Sequence, residues 1–409
     1  MKLFYIIFFC QNTVFTQFVG IKSKNLDKYR KQNLDSENFT HTGGAIDYII
    51  PPLWENITLG ESNFEQKTGP LEIIVELLIT VDEALHEKVS KWYTNGIWTK
   101  FNQHTGRQKE DPWEETILYV RKFITAVNFR YQNFPSMNIK LHISDILLEQ
   151  DTSFMVRSAI NEDKFDASAT LENMREVFGK KPVVFDVGIF ITGEEDKLCS
   201  KDCQDIDGLS FMNGVCFYDE PNKPWGLVIV QDLGTFSGVH AAAHEMGHLF
   251  GSYHDGITVM DGPIKVYTCD SDDGYIMADF MSVARGKRKN MYKWSSCSAK
   301  SIDRLVRSLL GTACLYNKPN KTPYPLMKWE DLIAPNVATL TDQCLSKSFF
   351  QNIYLDRYQI TCGDNPCQVL ECAVESKCTS FPPAMEGSRC ERGNICFHGE
   401  CIFSRLYSI

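Results

Sequence analysis

Between residues 21 and 68 apolar positions are scattered among polar ones without a steady period, as in a leader rather than a packed domain. From Leu71 the pattern changes. The run LEIIVELLITV is continuously apolar and rich in β-branched residues, which suits a strand covered on both faces. EETILYVRKFITAVNFRY, from Glu114, spaces its apolar residues three and four apart and predicts an amphipathic helix. MNIKLHISDILL from Met137 predicts a second strand and LENMREVF from Leu171 a helix. PVVFDVGIFIT from Pro182 and WGLVIVQD from Trp225 predict two further strands. Strands alternating with helices in this way predict an α/β domain with a mostly parallel, twisted sheet.

The next helix is predicted to start with Ser237 as N-cap and to run through GVHAAAHEMGHLF, with Gly251 ending it because glycine reaches the left-handed conformation a helix stop needs. Residues four apart share a helix face, so His244 and His248 point the same way. Glu245 lies about 100° around the helix from His244, beside the pair rather than in it. After the turn at Gly251, His254 can approach the other two imidazoles. Three histidines are a donor set for catalytic zinc, which keeps a fourth position open for water; a structural site would close with four protein ligands. Glu245 is then placed to take the proton of a water acidified by the metal and pass it to a leaving amine. A lone H-E-x-x-H occurs by chance, whereas H-E-x-x-H-x-x-G-x-x-H is far more restrictive. His240, one turn before His244, reads as a plain helix-face residue. The last helix of this unit is predicted over SAKSIDRLVRSLLG, Ser298 to Gly311.

The remaining composition sharpens the setting. A net charge of −10 argues against a general nucleic-acid binder. The amino end, MKLFYIIFFC, has one positive charge and a short apolar core, the pattern of a secretory signal; no other stretch approaches the length of a membrane-spanning helix. Of 15 cysteines, Cys10 falls in that signal and the other fourteen form a group of six, Cys199 to Cys314, and a group of eight, Cys344 to Cys401. Two even sets predict two separately bridged units in an oxidising compartment, with the pairing left open. Asn38, Asn56 and Asn320 begin glycosylation sequons. These features divide the chain into a signal peptide (1–20), a short pro-segment or leader (21–68), a catalytic domain (69–315), a proline- and asparagine-rich linker (316–341) and a cysteine-dense module (342–409).

The extended zinc signature resembles that of the metzincin metallopeptidases, and the Asp255 that follows His254 is similar to the reprolysin (adamalysin) branch, which includes the ADAM and ADAMTS proteases. CDSDDGYIMADFMS, from Cys269, resembles the family's Met-turn, which implies Met277 as a hydrophobic floor beneath the zinc. WSSCSAKSI resembles the cysteine-bearing stretch before the last helix. GLSFMNGVC, Gly208 to Cys216, resembles the edge strand that pairs with a substrate peptide, and LVIVQD the approach to the active-site helix. TDQC, CGDNPCQVLEC and GSRCERGNICFHGEC are similar to the disintegrin-like and cysteine-rich parts of ADAMTS proteins, and overall the chain is most similar to reprolysin-like secreted metalloproteases of tick salivary glands.

The resemblance implies a secreted, monomeric zinc endopeptidase acting on extracellular or plasma proteins such as matrix components or fibrinogen, with His244, His248 and His254 as metal ligands and Glu245 as general base. It also implies a structural calcium, with Glu76 and Asp186 standing where its carboxylates are expected. The alternative is a non-catalytic secreted protein that binds matrix, integrin or haemostasis partners through the cysteine-rich module. The chain departs from the family in two ways. No cysteine lies between residues 21 and 198 to hold the zinc in a latent state, and KYRK at residues 28–31 is only a weak basic cluster for processing. The second basic run, RGKRKN, reads as a solvated loop.

Overall fold

The structure is a computed structural model and describes residues 7–10, 13–16, 48–49, 71–94, 111–132, 134–195, 198–220, 222–261, 265–278, 290–309, 314–319, 322–328, 339–341, 343–344, 362–363, 365–374, 377–381 and 383–404. The sequon asparagines Asn38, Asn56 and Asn320, KYRK and all but the last residue of RGKRKN lie outside these residues. Of the expected signal segment, Ile7–Cys10 and Thr13–Thr16 are described, as an antiparallel pair.

A six-stranded sheet organises the first unit. Its strands are β1 (Tyr48–Ile49), β2 (Leu71–Asp82), β3 (Met137–Glu149), β4 (Val187–Thr192), β5 (Gly208–Phe211) and β6 (Leu227–Gln231), in the spatial order β1-β5-β6-β4-β2-β3. Every neighbouring pair is parallel except β5 with β6. The central strands are buried on both faces, as continuous apolar runs require: Ile73, Val75, Leu77, Ile79, Ile189, Phe190 and Ile229 have no exposed surface. The helices are α1 (Glu83–Thr94), α2 (Pro112–Gln132), α3 (Ala167–Phe178), α4 (Val239–Leu249) and α5 (Ser296–Ser308). Helix α4 lies against α2, β5 and β6, which puts its histidines at the short antiparallel side of the sheet.

Several boundaries differ from the sequence reading. Helix α3 begins at Ala167, four residues before its apolar run, because Asp166 accepts a hydrogen bond from the Ala169 N–H and caps it. The strand expected from Pro182 starts only at Val187. The N-cap of α4 is Gly238, not Ser237. The Ser237 hydroxyl accepts from the Leu233 N–H, and the Gly238 N–H is taken by the buried carboxylate of Asp232. The edge strand ends at Phe211, because Asn213 and Cys216 adopt positive φ and the chain turns beneath α4, where the Asn213 N–H donates to the carbonyl of His248.

All fourteen cysteines after Cys10 are bridged within their own group: Cys199–Cys203, Cys216–Cys314 and Cys269–Cys297 in the first, Cys344–Cys372, Cys362–Cys378, Cys367–Cys396 and Cys390–Cys401 in the second. Among its described residues the second unit has two small buried clusters, built largely of its own cystines with Leu370, Phe381 and Ala384. Bridges therefore replace the apolar core that so short a stretch cannot supply. Part of the proline-rich linker is laid on the first unit: Tyr324 bridges Ile143 of β3, and the Met327 N–H donates to Thr125 of α2. The second unit docks beside it, where the Tyr292 hydroxyl donates to the carbonyl of Cys367.

Candidate functional site

Both ends of α4 are fixed by specific hydrogen bonds. At its start, Asp232 accepts from the Tyr119 hydroxyl and from the N–H groups of Gly234 and Gly238, which fixes the turn into the helix. At its end, Gly251 adopts φ +91° and the Gly251 and Ser252 N–H groups donate to the carbonyls of His248 and Gly247, each at 2.9 Å. This is a Schellman stop, which only a residue at ease with positive φ can close. The stop reverses the chain within one turn and brings His254 back over the helix.

His244, His248 and His254 converge. Their Nε2 atoms lie 3.1 Å (His244 to His248), 3.1 Å (His248 to His254) and 3.0 Å (His254 to His244) apart. The Nδ1 of His244 donates to the carbonyl of Ile276 and that of His248 to the carbonyl of Ser252, each at 2.7 Å. A carbonyl can only accept, so in the neutral rings the proton sits on Nδ1 and Nε2 carries a lone pair. Those two lone pairs then face each other at 3.1 Å with no hydrogen between them, an arrangement a shared cation relieves. Tetrahedral zinc with bonds of about 2.05 Å separates its ligands by about 3.3 Å, close to the spacing seen. The trio could therefore hold one ion. His240 stays outside it, half-buried, with its ring 6.3 Å from that of His244.

Other groups complete the surroundings. Met277 is fully buried, and its sulfur would lie 2.6 Å from a Cβ at Gly247, so the Met-turn packs directly under the helix between the two histidines. The Met277 carbonyl accepts from the Asp255 N–H, and the Asp255 carboxylate accepts from Ser295, the N-cap of α5. Glu245, 1% exposed, turns toward β5, where the Ser210 hydroxyl lies 2.7 Å from its Oε2. Beyond β5, Tyr48 and Ile49 add an outermost strand, and the Tyr48 ring lies 4.6 Å from that of His248 and 5.6 Å from that of His254.

The segment from residue 117 to residue 255, which spans α2 through the third histidine, matches the model of the reprolysin-like metallopeptidases of family M12B. The chain carries a reprolysin-like metallopeptidase domain. A disintegrin and metalloproteinase with thrombospondin motifs-like protein of Bombyx mori is 28% identical over 69% of this chain and 40% of its own length. Venom metalloproteinase 2 of Eulophus pennicornis is 27% identical over 45% of this chain and 43% of its own. A disintegrin and metalloproteinase with thrombospondin motifs 6 of Homo sapiens is 33% identical over 48% of this chain and 16% of its own. The chain thus spans less than half the length of the curated relatives it matches. The match over this segment implies zinc, and the histidine trio is the candidate site for it.

A second cluster gathers around β2 and the residue that precedes β4. Asp186 accepts from the Glu76 N–H, the Asn317 amide donates to the Glu76 carboxylate, and the Asn317 Oδ1 is buried without a hydrogen-bond partner. Burial pushes the Asp186 carboxyl up to about 7. Two buried carboxylates and an orphaned amide oxygen form an all-oxygen donor set. Cys216 and Cys314 are also close by, but as a cystine they offer no thiolate.

Sequence reasoning missed Ser210, Tyr48 and Asn317. Ser210 had a faint signal, since alternation in GLSF puts it on the same strand face as Gly208. Tyr48 sits in a short apolar run, AIDYII, too brief to stand out from a segment without periodicity, and Asn317 in a proline-rich linker, so neither pointed to the site.

Proposed function

We propose that the protein is a zinc endopeptidase, with His244, His248 and His254 as the metal ligands and Glu245 as the general base. The observation that carries this reading is the convergence of three Nε2 atoms at 3.0 to 3.1 Å, two of them held as lone-pair donors by backbone carbonyls. Zinc held by the three imidazoles would supply a Lewis acid for the scissile carbonyl and would lower the pKa of a water toward ~7. Glu245 is the carboxylate placed to hold the proton of the attacking water and return it to the leaving amine. The Gly208–Phe211 edge carries the substrate as an extended strand by backbone hydrogen bonds.

The substrates are extracellular or plasma proteins, and the product is secreted. The support for this is seven cystines, a signal-like amino end and relatives that include a venom metalloproteinase. The cysteine-rich module binds substrate or matrix. Residues 21–68 act as a leader, and its Tyr48–Ile49 strand lies along the edge a substrate would use. The Glu76, Asp186 and Asn317 cluster holds a structural calcium. The test is Glu245→Ala: loss of peptide hydrolysis with zinc still bound supports the reading, and full activity in that variant defeats it.

A further inference from the structure

Glu245 is a buried carboxylate on a helix that also presents two metal ligands, so its value as a base depends on where its oxygens are aimed. The aim is set from the neighbouring strand. Ser210 is fully buried at the middle of β5, paired with Val228 on one side and with Tyr48 on the other. Its Oγ lies 2.7 Å from Glu245 Oε2 and 2.9 Å from the Glu245 backbone carbonyl. A hydroxyl has one proton. The backbone carbonyl of a helical residue is already an acceptor within the helix, whereas an ionised carboxylate draws the stronger and shorter bond, so the proton belongs to Oε2.

The residue two positions earlier on the same strand face is Gly208. A Cβ there would lie 2.9 Å from Glu245 Cγ and 3.3 Å from Oε1. The strand thus has no side chain where the stem of Glu245 passes and a donor where its oxygen arrives. The period of two in a strand places both features against one helix residue.

We propose that Ser210 is the positioning residue for Glu245, and that the strand carrying the peptide also aims the base. This rests on the reading of Glu245 as the proton carrier. Ser210 touches neither substrate nor metal in this scheme; it acts only through the carboxylate.

The experiment uses the full chain loaded with zinc and a quenched fluorescent peptide. Ser210→Ala is expected to lower kcat about tenfold, a fraction of the gain general acid–base catalysis supplies, with KM within about twofold. Ser210→Thr, which keeps the hydroxyl, is expected to restore most of the rate. In the Glu245→Ala background the Ser210→Ala change is expected to have no further effect on the residual rate. A second readout needs no metal: in the infrared spectrum of the zinc-free protein, the carboxylate band lost in Glu245→Gln should shift in Ser210→Ala and return in Ser210→Thr. Zinc content and the unfolding midpoint of each variant establish that it is folded. An unchanged kcat in Ser210→Ala, a loss that Ser210→Thr does not recover while folded, or an unmoved carboxylate band overturns the proposal. If Glu245→Ala is itself fully active, the general-base reading falls and this proposal with it; if Glu245→Ala is inactive and Ser210→Ala normal, only this proposal falls.

Discussion

The ring of Tyr48 packs on the ring of His248, 4.6 Å between centroids, while its backbone pairs in parallel with Ser210 of the sheet's edge. The Ile49 carbonyl accepts from the Met212 N–H at 2.7 Å, so the segment is tied by backbone and side chain alike. A tethered strand competes with a free peptide at high effective concentration. Cutting the chain at an engineered site between Ile49 and Leu71, and separating the fragments, is expected to raise hydrolysis of a fluorescent peptide by about tenfold or more. Tyr48→Ala should give a smaller rise in the uncut chain. Equal activity before and after the cut would remove the leader from any role in latency.

Gly251 decides whether His254 reaches the other histidines. At φ +91° an alanine is strained, and its Cβ would lie 2.6 Å from Asn213 Oδ1. Gly251→Ala is expected to cost about 1 to 3 kcal/mol of stability. It is also expected to weaken zinc retention against a competing chelator dye about tenfold or more, since the turn aims a ligand. A variant that keeps wild-type zinc affinity would show that the Schellman stop is structural only.

Calcium is expected to stabilise the protein through Glu76, Asp186 and Asn317. Ligand linkage gives about 2.7 kcal/mol at a hundredfold excess over Kd, which corresponds to a clear rise in Tm for a domain of this size. Asp186→Asn and Asn317→Ala should each reduce the rise. If millimolar calcium leaves the wild-type Tm unmoved, the cluster does not hold this ion.

The contact between the two units is expected to carry opposing pH dependences. Burial, with the charges of Arg130 and Lys293, pushes His398 from 6.5 down to about 4. Burial pushes Glu386, which accepts the His398 N–H, from 4.5 up to about 7, against the pull of Arg130. Between pH 4 and 6.5 the unfolded chain binds a proton that folded His398 does not, so this group makes stability rise with pH. Between pH 4.5 and 7 folded Glu386 keeps a proton that the unfolded chain has lost, so this group makes stability fall with pH. His398→Phe should therefore leave a Tm that falls as pH rises through this window, and Glu386→Gln one that rises. Slopes of the same sign in both variants would refute the assignment.

Much of this was legible in the linear chain. The strand at Leu71, the helix at Glu114 and the donor set on α4 follow from local periods, and local periods survive folding because they are properties of the backbone. Boundaries fared worse where capping came from elsewhere. Asp232, rather than Ser237, satisfies the start of α4, since a buried carboxylate reached by Tyr119 is available only after packing.

The sequence by itself determined the chemistry on offer: three imidazoles and a carboxylate at helical spacing, a glycine to turn the chain, and two even sets of cysteines. Tertiary structure alone decided how those groups point. It set the tautomers of His244 and His248 through the carbonyls of Ile276 and Ser252, turned Glu245 onto Ser210, and laid Tyr48 along the edge of the sheet. The reason is physical. Spacing along one helix is written in neighbouring residues, whereas a hydrogen bond between a strand and a helix depends on the packing of everything between them.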